Sequence, residues 1–423
     1  MPEKFLHYLW QHQLIKRDNL KSVQKEDIEI ICPGLPNKDA GPDFTNARIK
    51  IGRTIWAGNV EIHTDSEDWN KHGHQNDKAY NNVILHVVEK ASVQALNNKE
   101  RSIPTLQIEY DPSLLLKYNR LKSSDNTIAC ASELQHIEPF ILNNWIERLC
   151  IERMESKTST IGAILEQYKG NWEECFYIIL ARSFGFNTNS LPFEMLARNT
   201  PLKLLTRYRN HIFQLEALLF GQAGFLDNTL EGEYPNALLR EYSYLKKIHR
   251  LKPIEKHLWK FMRLRPSNFP TIRIAQIASL IHKTEHLFSR LMETKEIKSF
   301  YELLSAEVSD FWKTHYTFSA ESSLRTKRLG KASIEGLLIN TIIPFLFIYG
   351  KMKLRDDLCD LSLSLLEKIP AEKNSTTREW SKHLGSVDNA AKSQALTELT
   401  KNYCTEKKCL YCQIGNSIIQ QHT

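Results

Sequence analysis

No stretch of this 423-residue chain approaches the ~18 consecutive apolar residues of a membrane span. The longest candidate, Leu337 to Gly350, is interrupted by Asn340, Thr341 and Pro344. The opening residues, MPEKFLHYLW, set an acid and a His ahead of any apolar block, so they lack the form of a secretory signal. No repeat of fixed period recurs, which argues against a solenoid. An excess of acid is missing too. The net charge is +7, which is compatible with a polyanionic partner without demanding one. These absences set the expectations of a cytoplasmic location and no membrane partner, and they leave the oligomeric state open.

What is present reads as an α+β protein. The chain is 42% hydrophobic and 25% charged, and is long enough for two or three domains with substantial cores. Residues 3–14 carry Phe5, Leu6, Leu9, Trp10 and Leu14 at helical spacing, and 27–32, 44–51, 54–63, 82–88 and 105–110 read as strands. The polar, turn-rich stretch 118–138 closes on Pro139, and beyond it the periodicity becomes helical. Helices are expected at 140–157, 172–185, 202–220, 236–248, 254–263, 270–282, 284–294, 298–315, 332–348, 354–368 and about 389–403, with 371–393 polar and partly extended. The expected organisation is a mixed α/β domain over 1–125, an irregular all-α domain over 138–403 and a Cys-rich tail over 404–423.

The segment 42–88 concentrates the chemistry. Residues 54–63 alternate with period two: Trp56, Gly58, Val60 and Ile62 on a core face, Ala57, Asn59, Glu61 and His63 on a polar one. Gly52-Arg53 is a plausible hairpin turn to the preceding strand. Asp43 opens that strand, so Asp43 and Glu61 stand at the ends of neighbouring strands. Two such carboxylates can hold Mg²⁺, whose remaining sites take water and phosphate, and the metal would acidify its water. The plainer alternative is that Asp43 caps a turn after Gly41-Pro42 and Glu61 is a solvated strand residue.

His63, His72, His74 and His86, with Asp77 nearby, form a second set. His-x-His spacing suits zinc or another transition metal, and the competing reading is an exposed loop anchored through Asp68-Trp69. Eight cysteines are unevenly spread. Cys404, Cys409 and Cys412 call for a soft cation, zinc or a [4Fe–4S] cluster, with Lys407 and Lys408 favouring thiolates. A fourth ligand must come from a distance. Cys150, Cys175 and Cys359 read as core and Cys32 precedes Pro33-Gly34, so Cys130 is the preferred candidate. Lys260, Arg263, Arg265 and Arg273 flank Asn268 and Phe269 between two prolines and suit phosphate contacts, with His72 and His74 as further candidates for orienting phosphate. Arg325, Lys327, Arg328 and Lys331 form a second basic run, and Phe269 or Phe318 could stack on a base. A solvated charged face is the alternative.

The order helix, three strands, polar connection, further strands resembles the core of the PD-(D/E)XK nuclease superfamily, with Pro42-Asp43 and Glu61-Ile62-His63 at its motif positions. The resemblance implies a nuclease-like core, a metal site at Asp43 and Glu61, and a first-helix acid at Glu3. His63 stands where Lys is usual, and Lys50 on the adjacent strand is the candidate for the displaced charge. The whole chain also resembles an uncharacterised bacterial family defined by a domain of unknown function. That resemblance rests on AGPDF at 40–44, GNVEIH at 58–63, WNKHGH at 69–74, NNVILHVV at 81–88, FGQAGFL at 220–226, RLRPSNFPTIRIAQ at 263–276 and CTEKKCLYCQIG at 404–415. The functional expectation is a Mg²⁺- or Mn²⁺-dependent nuclease acting on DNA. Asp43 and Glu61 would bind the ion and His63 would orient or deprotonate water. A zinc hydrolase using His72 and His74, or a non-catalytic nucleic-acid-binding scaffold with a degenerate nuclease core, are the alternatives.

Overall fold

A computed structural model describes residues 2–227 and 230–421. The protein is α+β, with an N-terminal curled sheet followed by a mostly helical region. It divides into two compact units: the residues up to Trp145 together with those from Thr400 on, and Ile146–Leu399 between them. The residues after 404 are thus not a separate tail but part of the sheet-bearing unit.

In that first unit, α1 (Glu3–Gln11) precedes β1 (Ile28–Cys32), β2 (Leu35–Pro36), β3 (Phe44–Ile51) and β4 (Thr54–Asp65). A short helix, α2 (Asp68–Lys71), and two 3₁₀ turns then lead to β5 (Val83–Lys90), β6 (Thr105–Gln107) and α3 (Pro112–Ser123). The strand order is β1-β3-β4-β5-β6, with β2 paired to β3. β1, β3 and β4 are antiparallel, whereas β4–β5 and β5–β6 are parallel. A parallel neighbour needs a crossover, so the polar segment 66–82 is that crossover, although it carries little helix.

The two halves of β4 behave differently. Trp56, expected in the core, is 50% exposed. β5 joins β4 only from Asn59 on, so residues 54–58 extend past it as a ribbon with β3. From Val60 onward both faces are covered: Val60 and Ile62 are fully buried, and so nearly are Glu61 and His63. α1 packs on this strand, burying Phe5, Leu6, Leu9 and Trp10. The Phe5 ring stacks on Tyr118 of α3 with centroids 5.3 Å apart. The C-terminal helix Gln413–Gln420 belongs to the same core. Tyr8 Oη donates to Asn416 Oδ1 at 2.5 Å, and Ile414, Ile418 and Ile419 are buried.

The second unit is helical among its described residues. The expected helix at 254–263 is only the 3₁₀ turn Lys256–Leu258, in a stretch bounded by Pro253 and Pro266. The expected extended region after 371 holds the helix Ser375–Leu384. Its start is a reciprocal cap, in which Asn374 and Thr377 satisfy each other's backbone N–H. The run containing Leu337–Gly350 forms one helical stretch, Lys331–Lys353, long and apolar enough to cross a membrane by composition, yet 67% of its apolar window is buried within the protein.

Gly58, just before the β4–β5 pairing begins, has no room for a side chain. A Cβ there would lie 2.4 Å from Ile84 Cγ2 and 2.5 Å from the Asn82 carbonyl oxygen. Gly58→Ala is therefore expected to destabilise the protein by roughly 1–3 kcal/mol through overpacking, read as a lower denaturation midpoint. An unchanged midpoint would mean that the β4–β5 seam yields freely.

Candidate metal centre

Backbone pairing places the first two ligand-type residues. Glu61 Oε2 accepts from the Asp43 backbone N–H at 3.1 Å, and Asp43 Oδ2 accepts from the Ile62 N–H at 2.9 Å. Each carboxylate thus anchors the other's strand. From α1, His7 Nε2 reaches within 3.3 Å of Asp43 Oδ2 and 3.8 Å of Glu3 Oε1. Glu3 and His7, one turn apart, lie on one helix face, so α1 delivers both to the same place. His7 is a site residue that the sequence reading missed. Its signal was that four-residue spacing from Glu3.

The histidines come from β4, β5 and the crossover. Gly73, at φ 76°, reverses the chain after α2. On either side of it His72 and His74 turn towards His63, and the donor nitrogens of the three lie within 4.8 Å of one another. His63 Nε2 is 3.2 Å from His72 Nδ1 and 3.6 Å from Glu61 Oε1, and His74 Nε2 is 3.2 Å from the same Glu61 oxygen. Donors around a tetrahedral zinc stand roughly 3.4 Å apart, given metal–nitrogen bonds of about 2.0–2.1 Å. Neither His74 Nε2 nor His7 Nε2 makes a hydrogen bond among the described residues, despite the nearby carboxylates. His63 Nε2 and His72 Nδ1 share a hydrogen bond, while the His74 nitrogen is left free to meet a ligand.

His63 is held from behind. Its Nδ1 lies 2.9 Å from His86 Nε2, and His86 is fully buried. For Nε2 of His63 to present a lone pair to an ion, Nδ1 must carry the proton and donate it to His86. The crossover is pinned by Trp69, fully buried, whose indole donates to the Leu96 carbonyl at 2.9 Å. The His74 ring stacks on Tyr80 at 3.8 Å.

The electrostatics are those of a cation site. Burial, and then the neighbouring Asp43 charge, push Glu61 up to about 9. Burial raises Glu3 as well. Burial lowers His63 to about 4, with the other imidazoles adding to the effect, and it lowers His86 to about 3 and also depresses His74. His63 and His74 are therefore held as neutral, ligand-competent imidazoles beside a Glu61 carboxyl that a cation would ionise. His72 remains exposed, which leaves one side of the site open.

Other expected residues fall elsewhere. Asp77 is exposed and caps the turn Lys78–Asn82 by accepting from the Ala79 N–H at 2.9 Å. Lys50 pairs with Glu29 at 3.3 Å on the sheet surface. It is seven residues along β3 from Asp43, roughly 23 Å of extended strand, so it supplies no charge to this site. The reading of Glu61 as solvated gives way to one in which it is 5% exposed.

The chain belongs to the family described as "Protein of unknown function (DUF2851)", whose profile matches residues 3–375. That span includes Glu3, the crossover histidines and most of the helical unit, and ends before Cys404. No curated protein and no solved structure matches the chain.

In the helical unit the expected phosphate-binding residues separate. Arg263, Arg265 and Asn268 are exposed. Arg273 is 3% exposed and donates to Gln276 Oε1, Asn268 Oδ1 and Ser333 Oγ at 2.7–3.0 Å, with its guanidinium over the Phe186 ring. Lys327 is likewise buried and donates to the His315 carbonyl, and Phe318 is a core residue. A guanidinium so engaged holds the fold together and is not free for a phosphate. Arg273→Ala is expected to cost roughly 2–4 kcal/mol of stability, because it strands buried Gln276 and half-buried Ser333 and empties a buried site. Arg263→Ala and Arg265→Ala should stay within about 0.5 kcal/mol of wild type. Denaturant midpoints decide between these outcomes, and a neutral Arg273→Ala would free that side chain for a binding role.

Proposed function

We propose that this chain is a metal-dependent hydrolase of phosphodiester bonds in DNA, with its metal held by Glu61, His63, His72 and His74. The observation that carries the reading is the ligand-like spacing of those four donors. Mg²⁺ prefers an all-oxygen shell with several waters, so a donor set this rich in imidazole suits zinc or Mn²⁺ better. The expected two-carboxylate Mg²⁺ site and the expected zinc site thus become one site with one set of ligands.

The phosphodiester substrate is supported by topology. The order of α1, antiparallel β1, β3 and β4, and a crossover to β5 parallel to β4 supports a likeness to the PD-(D/E)XK core. Pro42-Asp43 stands where β3 begins, and Glu61 and His63 stand on β4. Exposed Arg263 and Arg265 offer phosphate contacts on the helical unit.

The roles follow from the geometry. A bound ion would polarise the phosphate and acidify its water. His63 has one nitrogen turned to the site and the other held by His86, so it acts as a ligand and not as the water-orienting base. His86 positions His63. Asp43, part-exposed beside His7, is the group placed to accept a proton, and His7 is placed to relay it.

The test is metal-depleted protein reloaded with zinc, Mn²⁺ or Mg²⁺ and assayed on single- and double-stranded DNA. Cleavage should return with zinc or Mn²⁺. Glu61→Ala and His63→Ala should lower cleavage and metal affinity by about a hundredfold or more, and His86→Phe should lower metal affinity by roughly 10–100-fold. Lys50→Ala should match wild type. Metal bound at one equivalent without cleavage of either DNA would overturn the phosphodiester reading and leave the metal site standing. No metal bound would overturn both.

A further inference from the structure

A second group of ligand-type side chains lies in the same unit, apart from the histidines. Cys130 is in the connection after α3. Cys404 ends a π-helical turn, Leu399–Cys404; Cys409 begins a 3₁₀ turn; and Cys412 caps the helix Gln413–Gln420. In sequence, 274 residues separate Cys130 from Cys404. In the fold the two segments meet: Gln421 Nε2 donates to the His136 carbonyl at 3.1 Å, and α3 packs on the turn Cys409–Tyr411, so the Cys130 connection lies against the C-terminal cysteines, whose charges bear on it. None is in a disulfide.

The surroundings are built for thiolates. Cys412 caps the helix Gln413–Gln420, so the backbone N–H groups of Ile414 and Gly415 in the first turn favour negative charge on its sulfur. Gly415 sits so close to Cys409 that a Cβ would lie 2.3 Å from the Cys409 carbonyl oxygen, which keeps the Cys409–Cys412 turn tight. Lys407, the nearest cation, is tethered by donating to the Ser124 carbonyl at 2.5 Å and to the Asn126 carbonyl. The Cys130 connection and the C-terminal segment are thereby fastened together beside the thiols. Four half-buried or buried sulfurs gathered without a disulfide, with backbone donors aimed at one of them, call for a cation.

The spacing distinguishes the cation. Thiolates on one tetrahedral zinc stand about 3.8 Å apart, from zinc–sulfur bonds of about 2.3 Å. Among the described residues, the group of three metal-type donors gathered within 4.8 Å is the histidine set, so no three of these sulfurs are that close. A four-iron cubane spreads its cysteines wider, because each sulfur binds a different iron. We propose that Cys130, Cys404, Cys409 and Cys412 together ligate one [4Fe–4S] cluster, each thiol giving up its proton to bind a separate iron. The cluster joins the segment through which the chain leaves the first unit to the segment through which it returns.

The experiment is anaerobic purification of the full chain, with iron, acid-labile sulfide and zinc measured on the same sample. About four irons and four sulfides per chain and broad absorption near about 400 nm are expected. Cys130→Ser should lose iron as completely as Cys409→Ser, while Cys32→Ser keeps it. Far-ultraviolet circular dichroism monitors folding. If Cys412→Ser does not accumulate, Cys404→Ser and Cys130→Ser, both part-exposed, carry the same readout. One zinc per chain, lost in the same variants, would overturn the cluster. Full metal in Cys130→Ser, or none in wild type, would overturn the four-cysteine site. Zinc held at the histidine site would persist in all of these cysteine variants, so failure here leaves the proposed hydrolase untouched.

Discussion

The mutual grip of Asp43 and Glu61 sets the first unit's geometry. Each carboxylate accepts the backbone N–H beside the other, so the start of β3 and the middle of β4 are locked in register by the same two side chains that face the histidines. A buried carboxylate is normally costly. Here one oxygen of Glu61 is satisfied by backbone, and the other points at imidazoles that burial keeps neutral. The strand can therefore carry an apolar core on one face and ionisable groups on the other over the same few residues. α1 closes this arrangement: its apolar side fills the core, and its Glu3–His7 side completes the polar cluster.

Much of the first unit was legible because period-two alternation and helical spacing are local signals. β3, β4 and the Gly52-Arg53 turn follow from residues 44–63, and α1 follows from its apolar stripe. What alternation could not convey was that β4 outruns its neighbour, leaving Trp56 uncovered while Glu61, only five residues on, is enclosed. Whether a polar strand face meets water or a neighbouring element depends on contacts far away in sequence. His7 was obscured for the same reason, since its spacing from Glu3 acquires meaning only across the fold. Basic residues misled most. Arg263 and Arg273 look alike in a string of charges, yet one is exposed and the other is enclosed by Asn268, Gln276, Ser333 and Phe186.

Helix ends show a similar division. The helix Ser375–Leu384 has a weak apolar pattern, but the pair Asn374 and Thr377 marks its start by local hydrogen bonding. The stretch after Pro253 has apolar residues enough for a helix, and prolines on either side leave only a single 3₁₀ turn. Capping chemistry and backbone restriction outweighed hydrophobic content at both places.

The first unit is discontinuous: its chain departs after Trp145 and resumes at Thr400. Synthesis runs at about 5–20 residues per second, so a nascent sheet waits tens of seconds for the helix that buries against Tyr8. During that interval residues 146–399 emerge whole and can fold ahead of the unit that began before them. The apolar surface of α1 and α3 that Ile414, Ile418 and Ile419 will later share is meanwhile open to the cell's holdases. The order of completion on the ribosome is thus the reverse of the order of translation.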